Sequence, residues 1–152
     1  LAVIQDEAFI MNIDALTTAQ IEHLSDKLRA AGLRSTKPRL ALAHLLFGKG
    51  DRHVTAESLY EEARAFNLSV SQATIYNTLN QFLDAGLLRE VIVDHARSYF
   101  DTNVSNHHHF FIEGETRLID IPLDQVSLKA VPDAPEGYEL SGVDVVIRLN
   151  AR

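Results

Sequence analysis

From Thr17 to Gly86 the chain carries four successive helix signatures, each with its own polar cap, and from Leu87 onward the apolar pattern becomes that of short strands. A helical first half followed by a strand-rich remainder restricts the fold class to α+β. Thr17 or Thr18 can cap the first helix, with Gln20 in capping-box position and Ile21, Leu24 and Leu28 at helical spacing. Thr36 precedes Lys37-Pro38, and the apolar residues from Leu40 to Phe47 predict a largely buried second helix ending at Gly48. Thr55, with Glu57 near the positive end of the dipole, opens a third. Ser71 opens a fourth, which runs to about Ala85 with Gly86 as its C-terminal cap.

The runs from Leu87 to Val93 and from Arg97 to Phe100, joined by Asp94-His95-Ala96, read as a hairpin. Helix, helix, hairpin is the order of a winged helix-turn-helix, and a wing contact with phosphate is a role open to Arg97. Three further strands are expected at 107–112, 116–121 and 143–149, with a short helix starting at Pro122 and running to Leu128. The resulting division is a domain over 1–101, a hinge over 102–106 and a second domain over 107–152.

The 152 residues are enough for one domain or two small ones with a buried core. The formal net charge of -7 argues at first against a nucleic-acid partner, but the charge is uneven. Residues 101–152 hold 4 Lys/Arg against 9 Asp/Glu, whereas Arg29 to Arg52 carries six bases against Asp51 alone. Cysteine is absent, which excludes disulfides, thiolate zinc sites and cysteine nucleophiles, so a metal must be held by His, Asp, Glu or water. The first ten residues lack a basic lead-in and no apolar run approaches a membrane span; the expectation is a cytoplasmic protein without a membrane partner.

Two segments carry chemistry. No charged residue occurs from Ala65 to Leu83, although both flanks are charge-rich. A helix face of Gln72, Tyr76, Asn77, Asn80 and Gln81 suits a DNA groove, where amides meet base edges and apolar groups meet thymine methyls; burial by another subunit is the alternative. The second segment is His107-His108-His109. Imidazole is the commonest transition-metal ligand and an axial ligand of haem, but strand alternation points His107 and His109 one way and His108 the other. Three adjacent histidines therefore cannot close on one ion from a regular strand.

The segments Ala31 to Arg39, His53 to Tyr60, Ala73 to Leu79 and the histidine run, in this order, together resemble the ferric uptake regulator family. Within it, the histidine run, Ile119-Asp120-Ile121-Pro122 and the lack of cysteine look most like its iron-response branch. The resemblance implies a homodimeric transcriptional regulator that binds double-stranded promoter DNA, with an N-terminal winged-helix domain and a small α/β dimerisation and sensing domain. Arg34 and Arg39 match bases that approach the DNA backbone, and Tyr76 matches a base-contacting tyrosine. Thr36, Ser71, Thr74 and Asn77 complete the candidate DNA-binding set, and Asn77 stands where many members have arginine.

For the metal, the resemblance implies a hinge site of His53, Asp101, His108 and Asp120 and a second site at His107 and His109. Phe110 replaces a hinge-site histidine, and the Cys-x-x-Cys zinc motif is missing. The resemblance implies haem on His107, His108 or His109 as the favoured physiological signal, with divalent Mn, Fe or Zn as occupants of the sites. The expected function is control of iron and haem homeostasis genes under iron limitation, with a ligand at the hinge fixing how two recognition helices are aimed. The alternatives are a repressor with Fe or Mn as corepressor and a haem- or metal-binding protein without a DNA role. A metallohydrolase lacks a nucleophile motif or phosphate loop, so the protein is not expected to be an enzyme.

Overall fold

Each cap predicted from the sequence is made in the computed structural model, which describes residues 16–152; the acidic opening of the chain lies outside the described residues. Thr17 accepts from the Gln20 amide while the Gln20 side chain returns to Thr17, and α1 spans Thr18–Ala30. Thr36 accepts from the Arg39 amide at the start of α2, Lys37–Phe47. Thr55 and Ser58 form a reciprocal box that opens α3, Ala56–Ala65. Ser71 accepts from the Thr74 amide ahead of α4, Gln72–Asp84. Each such cap satisfies a backbone donor that would otherwise lack a partner and stabilises its helix by about 1 kcal/mol.

Helix ends are set as clearly. Gly86 takes φ +77°, and the Gly86 and Leu87 amides return to the carbonyls of Leu83 and Phe82, which closes α4. Asn67 does the same for α3 at φ 55°. Asparagine is among the few side chains that tolerate this conformation.

The first unit, ending at Val104, gathers its core from all four helices and the strands beside them. Helix α2 is buried nearly all round, from Leu40 to Leu46, and α4 buries Ile75, Thr78, Leu79 and Phe82 at helical spacing. Three strands complete the unit: β1, His53–Val54; β2, Arg89–Asp94; and β3, Arg97–Asp101, in the order β1-β3-β2, antiparallel throughout. β1 was not foreseen, since two residues carry no periodicity. At the wing tip, both Nε and Nη2 of Arg97 donate to Asp94, at 3.0 and 2.6 Å, so the base considered for phosphate is engaged within its own hairpin.

The second unit, from Ser105 to Arg152, is a three-stranded sheet ordered β5-β4-β6. β4, His108–Ile112, is antiparallel to β5, Arg117–Ile121, and parallel to β6, Val146–Leu149. Phe111, Leu118 and Ile121 are its buried apolar residues. The helix expected from Pro122 to Leu128 is instead a single 3-10 turn, Leu123–Gln125, with no side-chain cap and no buried residue. Without a cap or an apolar face to bury, a helix of that length is not stable. β6 starts three residues later than the sequence pattern suggested.

Candidate metal centre and nucleic-acid interface

Strand register places the donors. In the first unit His53 lies opposite Asp101 across the β1/β3 pair, and His53 Nε2 is 3.1 Å from Asp101 Oδ2. Asp101 is fully buried, and its other oxygen accepts the Asn103 amide at 2.8 Å. The pair is bracketed by its neighbours. The Arg52 amide donates to Thr102 Oγ1 at 2.8 Å, and the Thr102 amide to the Arg52 carbonyl at 3.0 Å. Arg52 is itself held by Glu62 of α3 through two bonds of 2.9 and 2.6 Å and by the Leu45 carbonyl of α2. Hydrogen bonding to Glu62 raises the Arg52 pKa further.

In the second unit His109 lies opposite Asp120, and the two-residue period brings His107 to the same face. His107 Nε2 and His109 Nε2 approach one oxygen of Asp120 at 3.3 and 3.4 Å, and the two imidazole rings meet edge to face at 4.5 Å. The ligand atoms of His107, His109 and Asp120 all lie within 4.8 Å of one another. His107 Nδ1 is 2.6 Å from the Ser105 carbonyl, a bond only a protonated Nδ1 can make, so the neutral ring keeps its lone pair on Nε2.

His108 is different. It faces the opposite side of β4, and its Nδ1 accepts the Val145 amide at 3.1 Å, tying the approach to β6 onto β4. The expected grouping of His108 with Asp120 therefore gives way to one of Asp120 with His107 and His109. The cause is the register: His108 lies opposite Ile121, and His109 opposite Asp120. Sequence alone could not supply it.

Nitrogen and carboxylate donors suit first-row divalent metals. Donor atoms held ~2.1 Å from a tetrahedral or octahedral ion stand about 3.0–3.4 Å from each other. The His53–Asp101, His107–Asp120 and His109–Asp120 separations of 3.1, 3.3 and 3.4 Å lie in that range, and the residues fit such an ion.

On the first unit, Tyr76 is 57% exposed and Asn77 is exposed beside it. Tyr76, Asn77, Gln72 and Ala73 of α4 line one wall of a cleft of about 380 Å³, and Ala56, Glu57 and Tyr60 of α3 line the other. Thr36, Ser71 and Thr74 have local duties: the first two cap helices, and the Ser71 and Thr74 hydroxyls are 2.9 Å apart. Arg34 is exposed at a second cleft, of about 650 Å³, with Arg29 and Ser35. Arg39 is bonded to Gln81 of α4, a partner 42 positions away that no sequence spacing reveals.

A capped helical unit with a β-hairpin wing, followed by a histidine-bearing sheet, is the class of winged-helix proteins with an added strand-rich unit. The model of the Ferric uptake regulator family matches residues 30–147. The peroxide-responsive repressor PerR of Staphylococcus aureus (strain Mu50 / ATCC 700699) is 32% identical over 108 residues, covering 71% of this chain and 72% of that protein. Among solved structures, the ferric uptake regulator of Pseudomonas aeruginosa with manganese aligns with a TM-score of 0.65 at 24% identity, over 85% of this chain and 98% of that one. The ferric uptake regulator of Vibrio cholerae aligns with a TM-score of 0.65 at 21% identity, over 84% and 98%. The chain belongs to the ferric uptake regulator family, a family of metal-responsive transcriptional regulators.

Proposed function

We propose that the protein is a homodimeric, sequence-specific DNA-binding regulator controlled by a divalent metal, acting on iron homeostasis genes. The observation that carries this reading is the triad in the second unit, in which two buried imidazoles converge on one carboxylate oxygen at 3.3 and 3.4 Å. A buried polar group is costly unless it is hydrogen-bonded or ligating, and an ion between the two imidazoles and the carboxylate would meet that need. His107, His109 and Asp120 would hold Mn, Fe or Zn, which would supply positive charge and fixed coordination geometry. His53 and Asp101 of the first unit form a second donor pair, 3.1 Å apart, and we assign both groups to metal binding. The manganese in the Pseudomonas aeruginosa relative supports the choice of ion. Placement in the iron-response branch rests on the triple histidine and the absence of cysteine.

On the DNA side the reading is that α4 enters the major groove and presents Tyr76 and Asn77 to bases. An amide at position 77 can bond an adenine edge, and the Tyr76 ring can meet a thymine methyl. Haem is the less favoured signal. His107, His108 and His109 are only 5%, 4% and 1% exposed, and His108 Nδ1 is used by the backbone, so axial ligation requires the β4 segment to open. No helix among the described residues is long and apolar enough to cross a membrane.

The test is equilibrium binding to iron-gene promoter fragments by apo, Mn-loaded and haem-loaded protein, for wild type and for His107→Ala/His109→Ala. Metal should change wild-type affinity at least tenfold and leave the double variant unmoved. An equal response of both proteins to Mn sinks the triad as sensor, and a response to haem alone replaces the ion by the porphyrin.

A further inference from the structure

Arg39 lies in the first turn of α2, but its side chain is committed to α4. Nε and Nη2 converge on Gln81 Oε1 at 3.2 and 3.0 Å, while Nη1 donates to the Arg34 carbonyl at 3.0 Å. A guanidinium carries five N–H donors and no acceptor, so Gln81 must present its oxygen, and one N–H on each terminal nitrogen is left over from these bonds. Two donors on neighbouring nitrogens match two oxygens of one phosphate. Gln81 follows Asn77 by four residues on the same helix and is exposed as Asn77 is.

We infer that Gln81 is a positioning residue: it orders Arg39 as a phosphate clamp fixed to the helix that carries Tyr76 and Asn77. A free arginine samples many rotamers, and anchoring it at three nitrogens removes most of that entropy before the nucleic acid arrives. Anchoring it to α4 rather than to its own helix locks the backbone contact in register with the base contacts. Gln81 itself reads no base. This inference rests on the DNA-binding reading above, and its test separates the two.

The full chain is titrated, in whichever of its metal-loaded or metal-free forms binds more tightly, against two duplexes over a series of salt concentrations. One duplex is selected by the wild type from a random pool, and the other is a scrambled sequence of equal length and composition. Gln81→Met keeps side-chain length and helix propensity and removes the oxygen; thermal melting checks that the variant is folded. Arg39→Ala should weaken both duplexes and lower the salt slope by about one phosphate contact. Gln81→Met should weaken both by about 3- to 10-fold, and this loss should vanish in the Arg39→Ala background. A loss of the same size without Arg39, a loss confined to the selected duplex, or no loss in the folded variant would each overturn the positioning role. Failure of the wild type to retain any duplex would sink the DNA reading itself, before any substitution is considered.

Discussion

At the scale of single residues, the acid that unites the triad is the most exposed to test. Asp120 supplies the one oxygen that both His107 and His109 approach. Asp120→Asn keeps the shape and removes the charge. We expect divalent-metal affinity, measured by competition with a chelator, to fall at least tenfold, with the far-ultraviolet spectrum unchanged. An unaltered affinity means that the imidazoles bind without it. The sequence made the histidines conspicuous, but it could not show which of them shares Asp120, because that depends on whether residue 108 or 109 lies opposite residue 120, and a one-residue slip exchanges the two faces. A backbone counterpart is Gly86, whose φ of +77° closes α4. Gly86→Ala meets open space yet must adopt the left-handed region, so it should destabilise the protein by about 1 kcal/mol, read from chemical denaturation.

At the scale of elements, the C-terminal turn of α2 carries a pH dependence. Burial, and then the nearby Lys49 charge, hold the His44 pKa below its ordinary value of 6.5. Since the unfolded chain then binds the proton more readily than the folded one, the His44 contribution is fully present above 6.5 and is lost as pH falls through the lowered folded value. Stability measured between pH 7.5 and pH 5 should therefore decline less steeply in His44→Gln than in the wild type. Parallel curves would show that His44 is not responsible. Helices such as α2 were legible because caps and apolar spacing are local: Thr17, Thr36, Thr55 and Ser71 all cap where the sequence put them. The segment after Pro122 forms a single turn rather than the expected helix because a proline start says nothing about whether a helix has something to pack against. β1 is illegible in the sequence for the converse reason, being two residues fixed by partners at Phe100 and Asp101 rather than by any pattern of their own.

At the scale of the whole molecule, the second unit poses the question of what covers its sheet. Phe110, Ile119 and Ile147 are neighbours across β5, β4 and β6, with Ile112 and Leu149 next in line on the same face. Ile119, Ile147 and Leu149 are 38%, 37% and 36% exposed, and Phe110 and Ile112 are only partly buried. A contiguous apolar face of this kind favours association, and a second copy of the chain suits it because a two-fold interface applies one patch to itself. Ile147→Glu places a charge on the β6 side of that patch, where a two-fold interface would bury it once on each copy. Sedimentation should show a dimer for the wild type and a monomer for the variant. DNA affinity should fall with it, because two half-sites about one helical turn, ~34–36 Å, apart then cease to be read together. The decisive combination is mass with affinity: a folded Ile147→Glu variant that remains dimeric moves the interface elsewhere, and a monomer that binds DNA as tightly as the wild type removes the need for a two-fold reader.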